Sequence, residues 1–216
     1  MIRALIFDMD GVVADTIGPH YRSLQRLADE EGVRFDLARN ELLLGRTRED
    51  SLAIFAEGLT LDARTAEDWL QRKQRYFLDE LARMGPQDAL PGVRELLEEA
   101  RDARLAVGLA SSSRNARAVI TRLELAHLFQ VIADGTTVAR PKPAPHVFLW
   151  TAWALRVAPA RALVFEDSAA GVEAALAGGF PVVALGLCDD RATYERASLE
   201  RARLPEFLGQ EERAAA

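Results

Sequence analysis

The stretch ALIFDMDGVVADT, Ala4 to Thr16, decides the fold. Its apolar run, Ala4 to Phe7, reads as a short strand buried on both faces, because it is continuous and ends at polar turn residues. Two acids one residue apart, Asp8 and Asp10, follow, and then Gly11. Neighbouring carboxylates repel when both are ionised, so the pair requires a compensating cation, a raised pKa or open solvent. Aspartates at strand ends are also common turn residues and caps, and the rest of the chain has to discriminate.

Downstream the texture changes twice. From about Gly18 to Arg83 it is helical. PHYRSLQRLADEEG puts Tyr21, Leu24, Leu27 and Ala28 on one face and stops at Gly32; TREDSLAIFAEG and DARTAEDWLQRKQRYFLDELARMG continue the rhythm. After GPQDALPGV, short apolar runs alternate with helical stretches: LAVGLA, NARAVITRLEL, FQVIA, PAPHVFLWTAWALR, ALVFE, AAGVEAALAGG, PVVAL. Such alternation implies crossover connections and a parallel sheet covered on both faces. The expected fold is therefore α/β, a doubly wound Rossmann-like parallel sheet core (1–14 and 86–216) interrupted after its first strand by an all-helical insert (15–85).

Composition narrows the function. The 216 residues are 49% hydrophobic and 28% charged, in the range of an ordinary globular protein. With 27 basic and 33 acidic residues the net charge is −6, which argues against a nucleic-acid groove. The single cysteine, Cys188, can neither form an internal disulfide nor build a thiolate metal site. No apolar stretch has the length of a membrane span and no signal peptide precedes the first strand, so the expected setting is the cytoplasm, with no membrane partner.

In an open parallel sheet, ligands bind at the carboxyl ends of the strands. The residues there are Asp8 and Asp10, Ser111 to Ser113, Lys142, and Glu166 with Asp167. Four carboxylates converging on one crevice call for a hard divalent cation, and oxygen ligands favour magnesium over zinc. An ammonium and hydroxyls beside such an ion suit the oxygens of a phosphoryl group. Serines before a helix also serve as caps, a role compatible with holding an anion.

DMDGVVADT, LASSS, RPKPAP and FEDSAAGVEAALAGG resemble, in order and spacing, the four motifs of the haloacid dehalogenase superfamily, and the helical insert is similar to that family's cap domain. The resemblance implies Asp8 as the nucleophile and Asp10 as general acid and base. It implies Ser111, Ser112 and Lys142 as phosphate ligands, and Asp8, the Asp10 backbone carbonyl, Glu166 and Asp167 around Mg2+. The second aspartate favours phosphoryl transfer over dehalogenation. The subgroup most similar is that of β-phosphoglucomutase and the small sugar phosphatases. By that likeness Thr16 marks a hinge, and His20, Gly45, Arg48, Ser51, Lys73, Arg114 and Asn115 contact substrate. The residue before the cap-loop glycine, commonly lysine in the mutases, is Leu44 here. This departure favours a phosphatase of small phosphorylated metabolites, with a sugar-phosphate mutase as the alternative and a non-catalytic scaffold as a third reading. A monomer is expected. His127 and His146 have no metal-ligand companions and receive no role; Trp69, Trp150 and Trp153 read as core or domain-contact aromatics.

Overall fold

Six strands build one sheet: β1 Ala4–Phe7, β2 Ala106–Ala110, β3 Val131–Ala133, β4 Ala162–Glu166, β5 Val182–Leu185 and β6 Tyr194–Arg196. The computed structural model describes residues 1–43 and 48–208. Across the sheet the order is β3-β2-β1-β4-β5-β6, and every pairing is parallel. Leu44 and Gly45 lie outside the described residues.

Strand alternation explains why β1 is apolar throughout. Ala4 and Ile6 join a cluster with Val147 and Phe148 of helix α7 (His146–Ala154) and Val172 and Ala175 of α8 (Ala169–Ala177). Leu5 and Phe7 alternate to the opposite face, where Phe7 stacks on Phe165 with ring centroids 4.5 Å apart. Helix α5 (Val93–Asp102) packs on β2, and α6 (Ala116–Arg122) on β3. Trp150 packs partly buried against the first cluster, whereas Trp153 is 73% exposed, which removes the core half of the core-or-domain-contact reading for it. Helix α7 is apolar on nearly all sides, so its sequence gives no direction for the buried face.

The strand order turns around at β1, with β2 and β3 on one side and β4 to β6 on the other. A crevice at the carboxyl end of β1 is the expected ligand position in such a sheet. Phe7 pairs with Leu109 on one side and Phe165 on the other. One step further, Asp8 stands level with Ala110 and Glu166, and Ser111 follows immediately.

The chain divides into two units, Met1–Asp15 with Gly85–Ala216, and Thr16–Met84. The second contains α1 (Ile17–Glu31), α2 (Leu37–Glu41), α3 (Arg48–Phe55) and α4 (Ala63–Leu81), with no strand among its described residues. Its own core joins Leu24, Leu27 and Ala28 of α1 to Phe55, Trp69 and Tyr76. Asp62 caps α4 by accepting the Thr65 N–H at 2.7 Å. Arg72 of α4 ties that helix to α1 through Glu30, at 2.6 Å, and Glu31. Among the described residues no helix is long and apolar enough to cross a membrane.

Candidate active site

Asp8 continues the β1–β4 ladder, its N–H donating to Phe165 O at 2.9 Å. The chain then turns away through Gly11, whose φ of +76° is left-handed. A Cβ at Gly11 would stand 1.8 Å from Asp167 Oδ2, so this glycine meets two requirements: the turn, and the seat of a carboxylate from β4's end.

Lys142 reaches into the crevice from the connection between β3 and α7. Its Nζ donates to Asp8 Oδ1 at 2.5 Å and to Glu166 Oε2 at 2.8 Å, and its side chain is 8% exposed. Burial works against the ammonium charge, but Asp8 and Glu166 outweigh it and hold Lys142 above the ordinary lysine value. Asp8 is pushed well above the usual carboxylate range by burial; Lys142 pulls it back, and Glu166 and Asp10 push it up. Asp167 rises to about 7, from burial first and then from the charge of Glu166. One ammonium thus serves a group of carboxylates that is short of positive charge.

Oxygens of Asp8, Glu166 and Asp167 lie within 4.8 Å of one another. The donor set is entirely carboxylate, which fits a hard divalent cation such as Mg2+. Glu166 has both oxygens engaged: Oε2 accepts from Lys142, and Oε1 accepts the Ser168 N–H at 3.1 Å and its hydroxyl at 2.6 Å. Asp8 and Asp167 are therefore better placed as direct ligands, with Glu166 orienting Lys142. The charge of Asp10 acts on both Asp8 and Asp167, pushing each carboxyl up.

Ser168 is a site residue that the sequence reading left unassigned. It caps α8, its Oγ accepting the Gly171 N–H at 3.1 Å while donating to Glu166. Only its position ahead of the apolar helix AAGVEAALA signals it, as a cap. A Cβ on Gly171 would fall 1.9 Å from Glu166 Cδ, which closes the pocket around that carboxylate.

The loop after β2 carries the serines. Ser111 is fully buried and its Oγ accepts the Ser113 N–H at 3.0 Å; Ser113 Oγ accepts the Asn115 N–H at 3.2 Å. Among the described residues the N–H groups of Ser112 and Arg114 donate to no protein acceptor. Consecutive turns with such amides form a concavity that suits an anion. Ser112 and Arg114 are exposed at this rim, and Asn115 is half-buried.

In the helical unit the structure brings His20 and Lys73 together. Lys73 Nζ lies 2.7 Å from His20 Nδ1, and the imidazole stacks on Phe77 at 4.1 Å. An ammonium can only donate, so Nδ1 accepts and the ring is neutral. Burial first, then the Lys73 charge, holds His20 well below the usual histidine value. Arg48 opens α3, its Nε 3.8 Å from Glu49, and Ser51 is half-buried one turn on.

The description "haloacid dehalogenase-like hydrolase" belongs to a family model that matches residues 5–185. The β-phosphoglucomutase of Bacillus subtilis (strain 168) is 36% identical over 189 residues, 86% of this chain and 84% of that protein. The phosphorylated carbohydrates phosphatase of Thermotoga maritima is 32% identical over 216 residues, 96% of this chain and 97% of that one. A solved β-phosphoglucomutase from Clostridium difficile aligns with a TM-score of 0.88 at 29% identity, over 100% of this chain and 98% of that chain. With its motifs at the strand ends and this match across most of its length, the chain belongs to the haloacid dehalogenase-like hydrolase family.

Proposed function

We propose that this chain is a magnesium-dependent phosphatase of small phosphorylated metabolites, sugar phosphates first among them, working through an aspartyl-phosphate on Asp8. The observation that carries the reading is the Asp8 carboxylate at the end of the central strand, buried, 2.5 Å from the Lys142 ammonium and grouped with Glu166 and Asp167. Relatives named as a phosphatase and as a mutase both act by enzymatic chemistry, so the scaffold reading is set aside.

Asp8 Oδ attacks phosphorus while the bond to the leaving oxygen breaks, and Asp10 gives that oxygen its proton. Asp10 then takes a proton from water, the water oxygen attacks phosphorus, and the acyl-phosphate bond opens to release inorganic phosphate and regenerate the Asp8 carboxylate. Lys142, the Ser111 hydroxyl and the amides of Ser112 and Arg114 neutralise the phosphoryl oxygens as charge develops on them. Asp8 and Asp167, with the Asp10 carbonyl, would hold Mg2+, which when bound supplies charge neutralisation and in-line positioning. Gly45, Arg48, Ser51, Lys73 and His20 of the helical unit, with Arg114 and Asn115 of the core, are proposed to contact the rest of the substrate.

A mutase is the second reading, favoured by the likeness to the two β-phosphoglucomutases. The two differ in whether water or a sugar hydroxyl attacks the aspartyl-phosphate. Leu44, where mutases commonly carry lysine, removes a cation that would hold the sugar against water, and this supports the phosphatase. Phosphate release from a panel of sugar phosphates, with and without Mg2+, is the test. Metal-dependent release that disappears in Asp8→Asn is expected; release that survives in Asp8→Asn overturns the reading. Isomerisation of β-glucose 1-phosphate as the dominant reaction would transfer the case to the mutase.

A further inference from the structure

The loop that follows β2 is braced from behind by the turn that follows β3. Ser111 N–H donates to Ala133 O at 3.0 Å, and Gly135 N–H donates to Ser113 O at 3.0 Å. A Cβ on Gly135 would lie 2.3 Å from Ser112 O and 3.0 Å from Arg114 N. Gly135 is not among the residues with positive φ, so it is the closeness of another backbone, rather than a dihedral angle, that requires glycine here.

Internal hydrogen bonds hold the turn. Asp134 N–H donates to Thr137 Oγ1 at 2.9 Å, and Asp134 Oδ1 accepts the Thr136 N–H at 2.9 Å and its hydroxyl at 2.6 Å. Arg117 of α6 fastens the turn to the loop's other end, donating to Ile132 O at 2.8 Å with its Nε 3.6 Å from Asp134 Oδ2. The end of β3, the turn and the start of α6 therefore back the Ser112 to Arg114 backbone from one side, and the same connection runs on to Lys142.

We propose that Gly135 and Asp134 are positioning residues for phosphoryl binding, the turn fixing where the Ser112 and Arg114 amides and the Ser111 hydroxyl stand. The inference rests on the phosphatase reading for the identity of the bound group. A side chain at Gly135 must push Ser112 O back by about an ångström to reach ordinary contact, and a shift of that size is enough to spoil a set of converging donors.

Binding of inorganic phosphate, measured by calorimetry in Mg2+, is the first readout, and steady-state kinetics the second. In Gly135→Ala and Asp134→Ala, phosphate affinity falls and KM rises by about tenfold, with a smaller change in kcat. Asp134→Asn keeps the Oδ1 acceptor and recovers most of the affinity, a pattern that simple loss of stability does not produce. Wild-type phosphate affinity in folded Gly135→Ala and Asp134→Ala overturns the proposal. So does equal weakening in Asp134→Asn and Asp134→Ala, or a wild type that binds no phosphate. A wild type that binds phosphate without hydrolysing sugar phosphates defeats the phosphatase reading, while the calorimetric comparison still decides the role of the turn.

Discussion

Lys142 pairs with two buried carboxylates at once, Asp8 and Glu166, so one substitution there reaches both. In Lys142→Met, Asp8 and Glu166 keep their burial and lose their cation. Breaking a buried pair from one side costs about 3–5 kcal/mol. Urea unfolding at neutral pH without divalent ions should register that loss, and an unchanged midpoint would mean that the pair is not coupled. Gly11→Ala acts on a different atom. Its left-handed φ and the 1.8 Å approach to Asp167 Oδ2 force that carboxylate to move. Activity in Gly11→Ala is expected to require about 10- to 100-fold more Mg2+, the range found when the support of a metal ligand is disturbed. A Mg2+ titration of phosphatase activity measures it, and an unshifted curve would detach Asp167 from the metal. Asp8 and Asp167 were legible in sequence as charges that directly follow a strand, and Lys142 as a charge between two prolines ahead of an apolar helix. Ser168, Asp134 and Gly135 were not, since their roles depend on which oxygen or amide lies opposite, and no local pattern encodes that.

At the scale of elements, α1 and α4 carry the His20–Lys73 contact of the helical unit. Lys73→Met removes the ammonium that disfavours imidazolium, so the pKa of His20 moves up toward its ordinary 6.5 while burial still holds it lower. NMR titration of the imidazole, assigned with His20→Gln, checks this; an unmoved or falling value refutes the electrostatic account. The linkage to stability has a definite sign. The folded pKa lies below the unfolded one, so the unfolded chain binds more protons between them. The contribution of His20 is complete above about pH 6.5 and is lost as the pH falls through the folded value. Sequence legibility followed element length. Helices α1 and α4 announced themselves over 15 and 19 residues, and five of the six strands by their apolar runs. Strand β6 did not: Tyr194–Arg196 has three residues, none fully buried, and its pairing with β5 is what makes it a strand. Helix α2 spans five residues, too short for a periodic stripe, and depends on Asp36 accepting the Arg39 N–H. Helix α5 has a clear stripe, Val93, Leu96, Leu97 and Ala100, yet it follows the loop GPQDALPGV, whose two prolines and two glycines dominate the local texture.

At the scale of the whole molecule one unit is inserted into another, and the proposed chemistry and the proposed specificity fall in different units. The residues proposed to accept and hold the phosphoryl group, Asp8, Ser111 and Lys142, and the proposed metal ligand Asp167 all belong to the unit that contains the sheet, while Arg48, Ser51 and Lys73, proposed to contact the rest of the substrate, belong to Thr16–Met84. An insertion immediately after β1 costs the sheet nothing, because the strand's partners are β2 and β4 and neither pairing depends on what fills the connection. Two kinds of substitution should therefore give two kinetic signatures. Arg48→Ala should raise KM for a sugar phosphate by about 10- to 100-fold, the worth of one charge-assisted hydrogen bond, and leave hydrolysis of a small aryl phosphate within about threefold of wild type. Asp8→Asn should abolish turnover of both compounds. Measuring the two substrates side by side in both variants decides the matter. If Arg48→Ala slows the aryl phosphate as severely as the sugar phosphate, the helical unit serves the chemical step itself and the division fails. If it slows neither, Arg48 is a solvated surface charge, as most arginines on helices are, and specificity has to be sought in Arg114 and Asn115 at the core rim.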